Sequence, residues 1–113
     1  MKVINEAWYL EIEQEMIKKY GGVADRSHGH DGCLGKLPLE VKAVKQDHRF
    51  RINKKPHHKM LREDGQYIFV VVGSIKKSKI LTAKAVDHLL RGCCWFTDRE
   101  FPHKFLTIDK VFN

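Results

Sequence analysis

Apolar residues recur every three or four positions through NEAWYLEIEQEMIKKY, which predicts a helix over residues 5–20. Asn5 suits the N-cap, Lys18 and Lys19 suit the last turn, and Gly21-Gly22 suits the stop. At about 100° per residue, Trp8, Tyr9, Leu10, Ile12, Met16, Ile17 and Tyr20 share one arc. Glu13 falls inside that arc, between Tyr20 and Ile17. Glu6 lies near it, whereas Glu11 and Glu15 face away. A carboxylate on a buried face loses hydration and needs a partner. Glu13 is therefore a candidate site residue, with Glu6 as the alternative.

After a short extended segment from Gly22 to Arg26 and the turn-like SHGHDG, the period drops to two. Cys33-Leu34 and Leu37 to Lys45 predict a hairpin turned at Gly35-Lys36. Within LPLEVKAVK, Leu39, Val41 and Ala43 alternate with Glu40, Lys42 and Val44. One strand face is thus apolar, and the other presents Glu40 and Lys42 side by side. His48 to Ile52 predicts a further strand or an ordered loop. KKPHHKMLRE, residues 54–63, predicts a short helix with Pro56 in its first turn, where the missing N–H is harmless. QYIFVVV, residues 66–72, is apolar almost throughout and predicts a central strand buried on both faces. Lys79 to Leu81 is a candidate strand. Thr82 is placed to cap a helix, AKAVDHLLR, that stops at Gly92, and Phe105 to Ile108 predicts a last strand. The order α-β-β-β-α-β-α-β describes an α/β fold, a mixed sheet flanked by helices, without repeats or low-complexity segments.

A chain of 113 residues fits one domain, and its modest size leaves room for a dimer. Its net charge of +7, from 21 Lys and Arg against 14 Asp and Glu, favours a polyanionic partner. No apolar run approaches the roughly 20 residues that span a bilayer, so nucleic acid is favoured over membrane. Residues 1–8 lack the basic and apolar regions of a secretory signal. Cys33, Cys93 and Cys94 make an odd set with a vicinal pair, which fits a reducing, intracellular and cytoplasmic setting, at the nucleoid if the protein is cellular. Their spacing misses that of structural zinc sites, and they read as structural or incidental thiols.

The charge is concentrated. Between Lys42 and Arg62 the chain carries Lys42, Lys45, Arg49, Arg51, Lys54, Lys55, Lys59 and Arg62, with His48, His57 and His58, around Asp47 as the acid before Arg62. Just ahead of this track stands Asp31, flanked by Gly29 and Gly32, and nine positions later comes Glu40-Val41-Lys42. Phosphodiester hydrolysis needs a cation on the phosphate, an activated water and stabilisation of the leaving oxygen. Hard Mg²⁺ takes carboxylate and carbonyl oxygens. Asp31, Glu40 and the Val41 carbonyl offer such a set, and Lys42 on the same strand face as Glu40 would point at the water or the phosphate. A Glu-x-Lys alone is what an ordinary solvated strand face also carries. The neighbouring glycines, the buried-face Glu13 and the basic track are what turn the reading toward catalysis. The basic residues would neutralise phosphates and orient the backbone. His28 and His30 alternate around Gly29, either as an imidazole pair for a metal or as part of a DNA-facing loop in which one bonds a phosphate. Trp95-Phe96 beside Cys93-Cys94 is an apolar cluster suited to the core or to a dimer contact.

These residues resemble the PD-(D/E)xK nuclease superfamily and, within it, are most similar to archaeal Holliday junction resolvases. EQEMIKKYGG resembles the family's helix with its metal-site glutamate, ADRSHGHDG the strand with an Arg-Ser pair and the motif aspartate, and LEVKAVKQDHRFRI the Glu-Val-Lys strand with the basic segment beyond it. The resemblance runs from about Glu13 to Val72. It implies a restriction-endonuclease-like core and metal binding by Glu13, Asp31 and Glu40. It further implies a catalytic Lys42, Arg26 and Ser27 on the DNA backbone, and a homodimer that cuts two strands symmetrically. Mg²⁺ is the expected cofactor, with Mn²⁺ as substitute. The sequence departs from the family at His30, where a proline often precedes the aspartate. It also departs in a shorter hairpin between Asp31 and Glu40, a shorter helix after the basic segment, and a shorter Glu13-to-Gly21 distance.

Overall fold

A strand that is apolar at nearly every position has to be covered on both faces, and the fold is arranged around one. The computed structural model describes residues 2–27, 29–92, 94–97 and 101–113, and the side chains of these from Trp8 onward. The Glu6 side chain, His28 and Cys93, singled out above, lie outside the described residues. Strands β1 (Val23–Ala24), β2 (Gly32–Leu34), β3 (Leu37–Lys45), β5 (Gln66–Val72) and β6 (Lys77–Thr82) form one sheet in the order β1-β2-β3-β5-β6. Strands β4 (Phe50–Asn53) and β7 (His103–Leu106) form a separate antiparallel ribbon. The helices are α1 (Lys2–Lys19), α2 (Lys54–Arg62), α3 (Ala83–Leu89) and α4 (Ile108–Phe112).

The β2–β3 hairpin forms where the alternation predicts it, turning through Gly35 at φ 63°. Strands β3 and β5 run parallel, with Glu40 beside Tyr67 and Lys42 beside Phe69. A parallel pair needs a crossover, and β4 and α2 supply it. The sheet then divides two cores. Leu39, Val41, Ile68 and Val70 pack against Ile12, Met16 and Ile17 of α1. Tyr67, Phe69 and Val71 pack on the other side against Phe50, Ile52, Met60, Val86, Leu106 and Val111. The mixed α/β sheet flanked by helices is the architecture that the hydrophobic pattern predicts.

Several local expectations are corrected. Helix α1 already begins at Lys2, so Asn5 lies within it and is not its cap. Leu10 stands at the margin of the apolar arc and is 41% exposed. Helix α3 is capped by Thr82, whose hydroxyl accepts from the Ala85 N–H at 3.1 Å, but its helical residues end at Leu89. The last strand comes earlier than predicted. Thr107, assigned above to that strand, instead caps α4 by accepting from the Lys110 N–H at 3.2 Å. His57 is not on the basic face. It is fully buried one turn from Met60, with Nδ1 2.8 Å from the Tyr67 hydroxyl and Nε2 3.0 Å from Asp87. Burial pushes its pKa below the ordinary range, against the pull of Asp87. Trp95 and Phe96 separate: Trp95 packs on the core under the Lys104 ammonium, 4.6 Å from the ring centroid, while Phe96 is exposed.

Candidate active site

Strand β2 is only 3 residues long, and its ladder with β3 stops at the Gly32–Leu39 pair. Past that point no strand among the described residues pairs with this edge of β3. Exposed edge groups still need partners, and here side chains and one stray backbone group provide them in order. The Asp31 N–H donates to the Leu39 carbonyl at 3.0 Å. The Val41 N–H donates to Asp31 Oδ2 at 2.8 Å. The Tyr9 hydroxyl, reaching over from α1, donates to the Val41 carbonyl, and the Ala43 N–H donates to the Tyr9 oxygen. Asp31 is thus anchored against the strand that carries Glu40 and Lys42.

Glu40 and Lys42 leave one face of β3 as the alternation predicts, with Lys42 Nζ 3.9 Å from Glu40 Oε2 and both side chains mostly buried. Glu13 reaches the same region from α1. It is 2% exposed and is held by Arg26, whose Nη2 lies 2.7 Å from both carboxylate oxygens and whose Nε lies 3.1 Å from one of them. The same guanidinium stands 4.0 Å from Asp31. A buried carboxylate is tolerable only with such a partner. Helix phase therefore selects a residue that the fold does bring to the site.

The carboxylates share one electrostatic neighbourhood. Burial first, and then the charge of Asp31, push the Glu40 pKa up from 4.5 to about 7, against the pull of Lys42. Burial also raises Glu13, opposed by its hydrogen bonds to Arg26. The Tyr9 hydroxyl is pushed up by burial and then by Asp31, Glu40 and Glu13, so it stays protonated as a donor.

Crowded, desolvated carboxylates call for a cation. Among the described residues, no His, Cys, Asp and Glu side chains are gathered as a ready-made metal cluster. Arg26 is instead the positive charge between Glu13 and Asp31. The donor set still fits a hard divalent ion, because carboxylate and carbonyl oxygens are what such an ion takes. Asp31, Glu40, Glu13 and the Val41 carbonyl would hold it.

The predicted DNA contacts distribute unevenly. Arg26 is exposed on one side but engaged by Glu13, and the Ser27 hydroxyl and N–H are both directed to Asp25, at 2.6 and 3.0 Å. His30 and Lys59 border a small cleft with Glu40, so both sit near the carboxylates. Lys45 and Arg49 lie on the far side of Tyr9, in a groove at the end of β3, with Arg49 4.0 Å above the Phe105 ring. Arg51 Nε bonds Asn53 at 3.0 Å. Lys54 and Lys55 open α2 and are half-buried and exposed there, just before Pro56, which lines the small cleft. The hydrophobic pattern marks Tyr9 only as a member of the apolar arc. Its position one helical turn before the buried Glu13 is the signal that points to the site, since i and i+4 side chains meet.

Neither comparison with curated proteins nor comparison with solved structures finds a match. A family model described as the PD-(D/E)XK nuclease superfamily domain matches residues 5–105, which takes in α1 from Asn5 onward, the whole five-stranded sheet and the β4–β7 ribbon as far as Phe105. With Asp31 and Glu40-Val41-Lys42 meeting on one strand edge inside that span, the chain belongs to the PD-(D/E)XK nuclease superfamily.

Proposed function

We propose that the chain is one Mg²⁺-dependent endonuclease domain acting on DNA inside the cell, with Mn²⁺ able to substitute. The observation that carries this reading is the meeting of Asp31, Glu40, the Val41 carbonyl and Lys42 at the unpaired edge of β3. Bound Mg²⁺ would polarise the phosphate and favour ionisation of a water. Lys42, beside Glu40, holds the attacking water or steadies charge on the phosphate oxygens. Asp31 and Glu40 supply the anionic oxygens, and Glu13 closes the site from α1. In-line attack leaves a 5′-phosphate and a 3′-hydroxyl. Lys45, Arg49, Lys54, Lys55 and Lys59 provide cations for the backbone over a wide surface. No described helix is long and apolar enough to cross a membrane, and the net charge of +7 suits DNA.

The preference we infer is for branched DNA, cut by a homodimer, because the ordered motifs from Glu13 to Val72 resemble those of junction resolvases. Incubation with a four-way junction, a flap and a linear duplex in Mg²⁺, with Glu40→Ala as control, tests both levels. Cleavage that disappears in Glu40→Ala is the expected result. Equal cutting of all three DNAs removes the junction preference, and no cutting of any of them removes the nuclease reading.

A further inference from the structure

Beyond Tyr9 the unpaired edge of β3 becomes the floor of a groove of about 580 Å³. Its floor is Ala43, Val44 and Lys45, one wall is Trp8 and Tyr9 of α1, and the other is Arg49 and Phe105. That volume is in the range of roughly 300–1,000 Å³ typical of sites that enclose a small organic group. The lining combines aromatic faces with cations. The Arg49 guanidinium lies over Phe105, 4.0 Å from its centroid, and Lys45 is exposed at the rim. Asp47, the acid in the lining, has the His48 ring 3.7 Å away.

The groove is continuous with the candidate active site through one residue. Tyr9 forms part of its wall, and the Tyr9 hydroxyl is bonded to the Val41 carbonyl. A strand that runs from Asp31 and Glu40 along this edge of β3 passes Tyr9 and reaches the mouth of this groove. Paired bases in a duplex hide their faces in the stack and offer the protein only sugar and phosphate at this depth. Aromatic and guanidinium surfaces stabilise a base whose face is free, by stacking on it. The charge complementarity at Lys45 and Arg49 points to the same ligand, an anionic strand.

We infer that this groove binds an unpaired nucleotide flanking the scissile phosphate, stacked on Trp8 and the Arg49–Phe105 pair, so that the enzyme selects DNA with a splayed or single-stranded arm. This inference rests on the nuclease reading and names the substrate class for that site. It places the unpaired base on the Lys45 side of Tyr9, away from the Lys59–His30 cleft.

The test uses the full chain in EDTA, where binding is read without cleavage. A forked duplex with 2-aminopurine as its first unpaired base is compared with the fully paired duplex of the same sequence. The fork is expected to bind at least about tenfold tighter, with quenching of the 2-aminopurine on binding. Trp8→Ala should remove most of that preference and the quenching while leaving duplex affinity within about twofold. Arg49→Ala, an exposed change, should reduce the preference in the same direction if Trp8→Ala fails to fold. Equal affinity of the wild-type protein for fork and duplex overturns the inference, as does a fork preference that both variants keep. A wild-type protein that cleaves paired and forked DNA equally in Mg²⁺ keeps the nuclease reading and loses this one. A protein that binds the fork yet cleaves nothing in Mg²⁺ loses the nuclease reading, and the inference that rests on it.

Discussion

The Tyr9 hydroxyl is bonded to the Val41 carbonyl, and the same oxygen accepts from the Ala43 N–H. It therefore approaches the carbonyl from its Ala43 side, while Asp31 reaches the strand from the Val41 N–H side. One lone pair of the carbonyl is held by the hydroxyl, which leaves the other for a cation. Partners of metal-ligating groups commonly set affinity by 10–100-fold. Tyr9→Phe, which keeps the ring, should weaken Mn²⁺ binding by roughly tenfold in calorimetry and speed exchange of the Ala43 amide. Unchanged or tighter Mn²⁺ binding would show that the hydroxyl does not orient the ligand.

Glu40 makes the metal-free protein less stable as pH rises from acid to neutral. Its folded pKa of about 7 lies above the ordinary 4.5, so the folded state favours the neutral acid. That contribution is fully present below pH 4.5 and is lost as pH rises through about 7. The loss is on the order of 3 kcal/mol. Glu40→Gln should therefore match the wild type near pH 4 and exceed its stability above pH 8, in urea melts with EDTA present. A stability difference that does not change with pH would place the cause elsewhere.

Removing the Arg26 side chain leaves Glu13 buried with no ion pair. Arg26→Ala should destabilise the metal-free protein by about 1–3 kcal/mol, and Glu13→Gln in the same chain should return much of that. A double-mutant cycle in denaturant measures the coupling. Additive effects would mean that the bidentate pair contributes nothing net to the fold.

Lys42→Ala should lower the cleavage rate by at least about 100-fold while leaving binding of the same DNA in EDTA within a fewfold. Cleavage at the wild-type rate would take Lys42 out of the chemistry.

The parts of the site that are legible in the sequence are those in which one period settles a face. LEVKAVK alternates, so Glu40 and Lys42 have to share a side and Val41 has to be buried, as they do and it is. Glu13 is legible from helix phase. What is not legible depends on contacts between distant segments. The Arg26 partner of Glu13 comes from 13 positions away, and the Tyr9 bond to Val41 spans 32. His57 reads as one more member of a basic run, because nothing local announces that Tyr67 and Asp87 will satisfy both its ring nitrogens. Helix α4 is hidden because Thr107-Ile108 has strand propensity, and Thr107 becomes a cap only through the helical turn formed by residues 108–112.

The unpaired edge of β3 has a second consequence. A sheet edge with free N–H and C=O groups is a template for another copy of the chain, and proteins usually blunt such edges with charge or cover. Here the Asp31 carboxylate and the Tyr9 hydroxyl are the cover. The atoms that ready this strand for a substrate thus also guard it against self-recruitment into aggregates. A substitution such as Asp31→Ala removes a carboxylate of the candidate site and bares the strand at the same time.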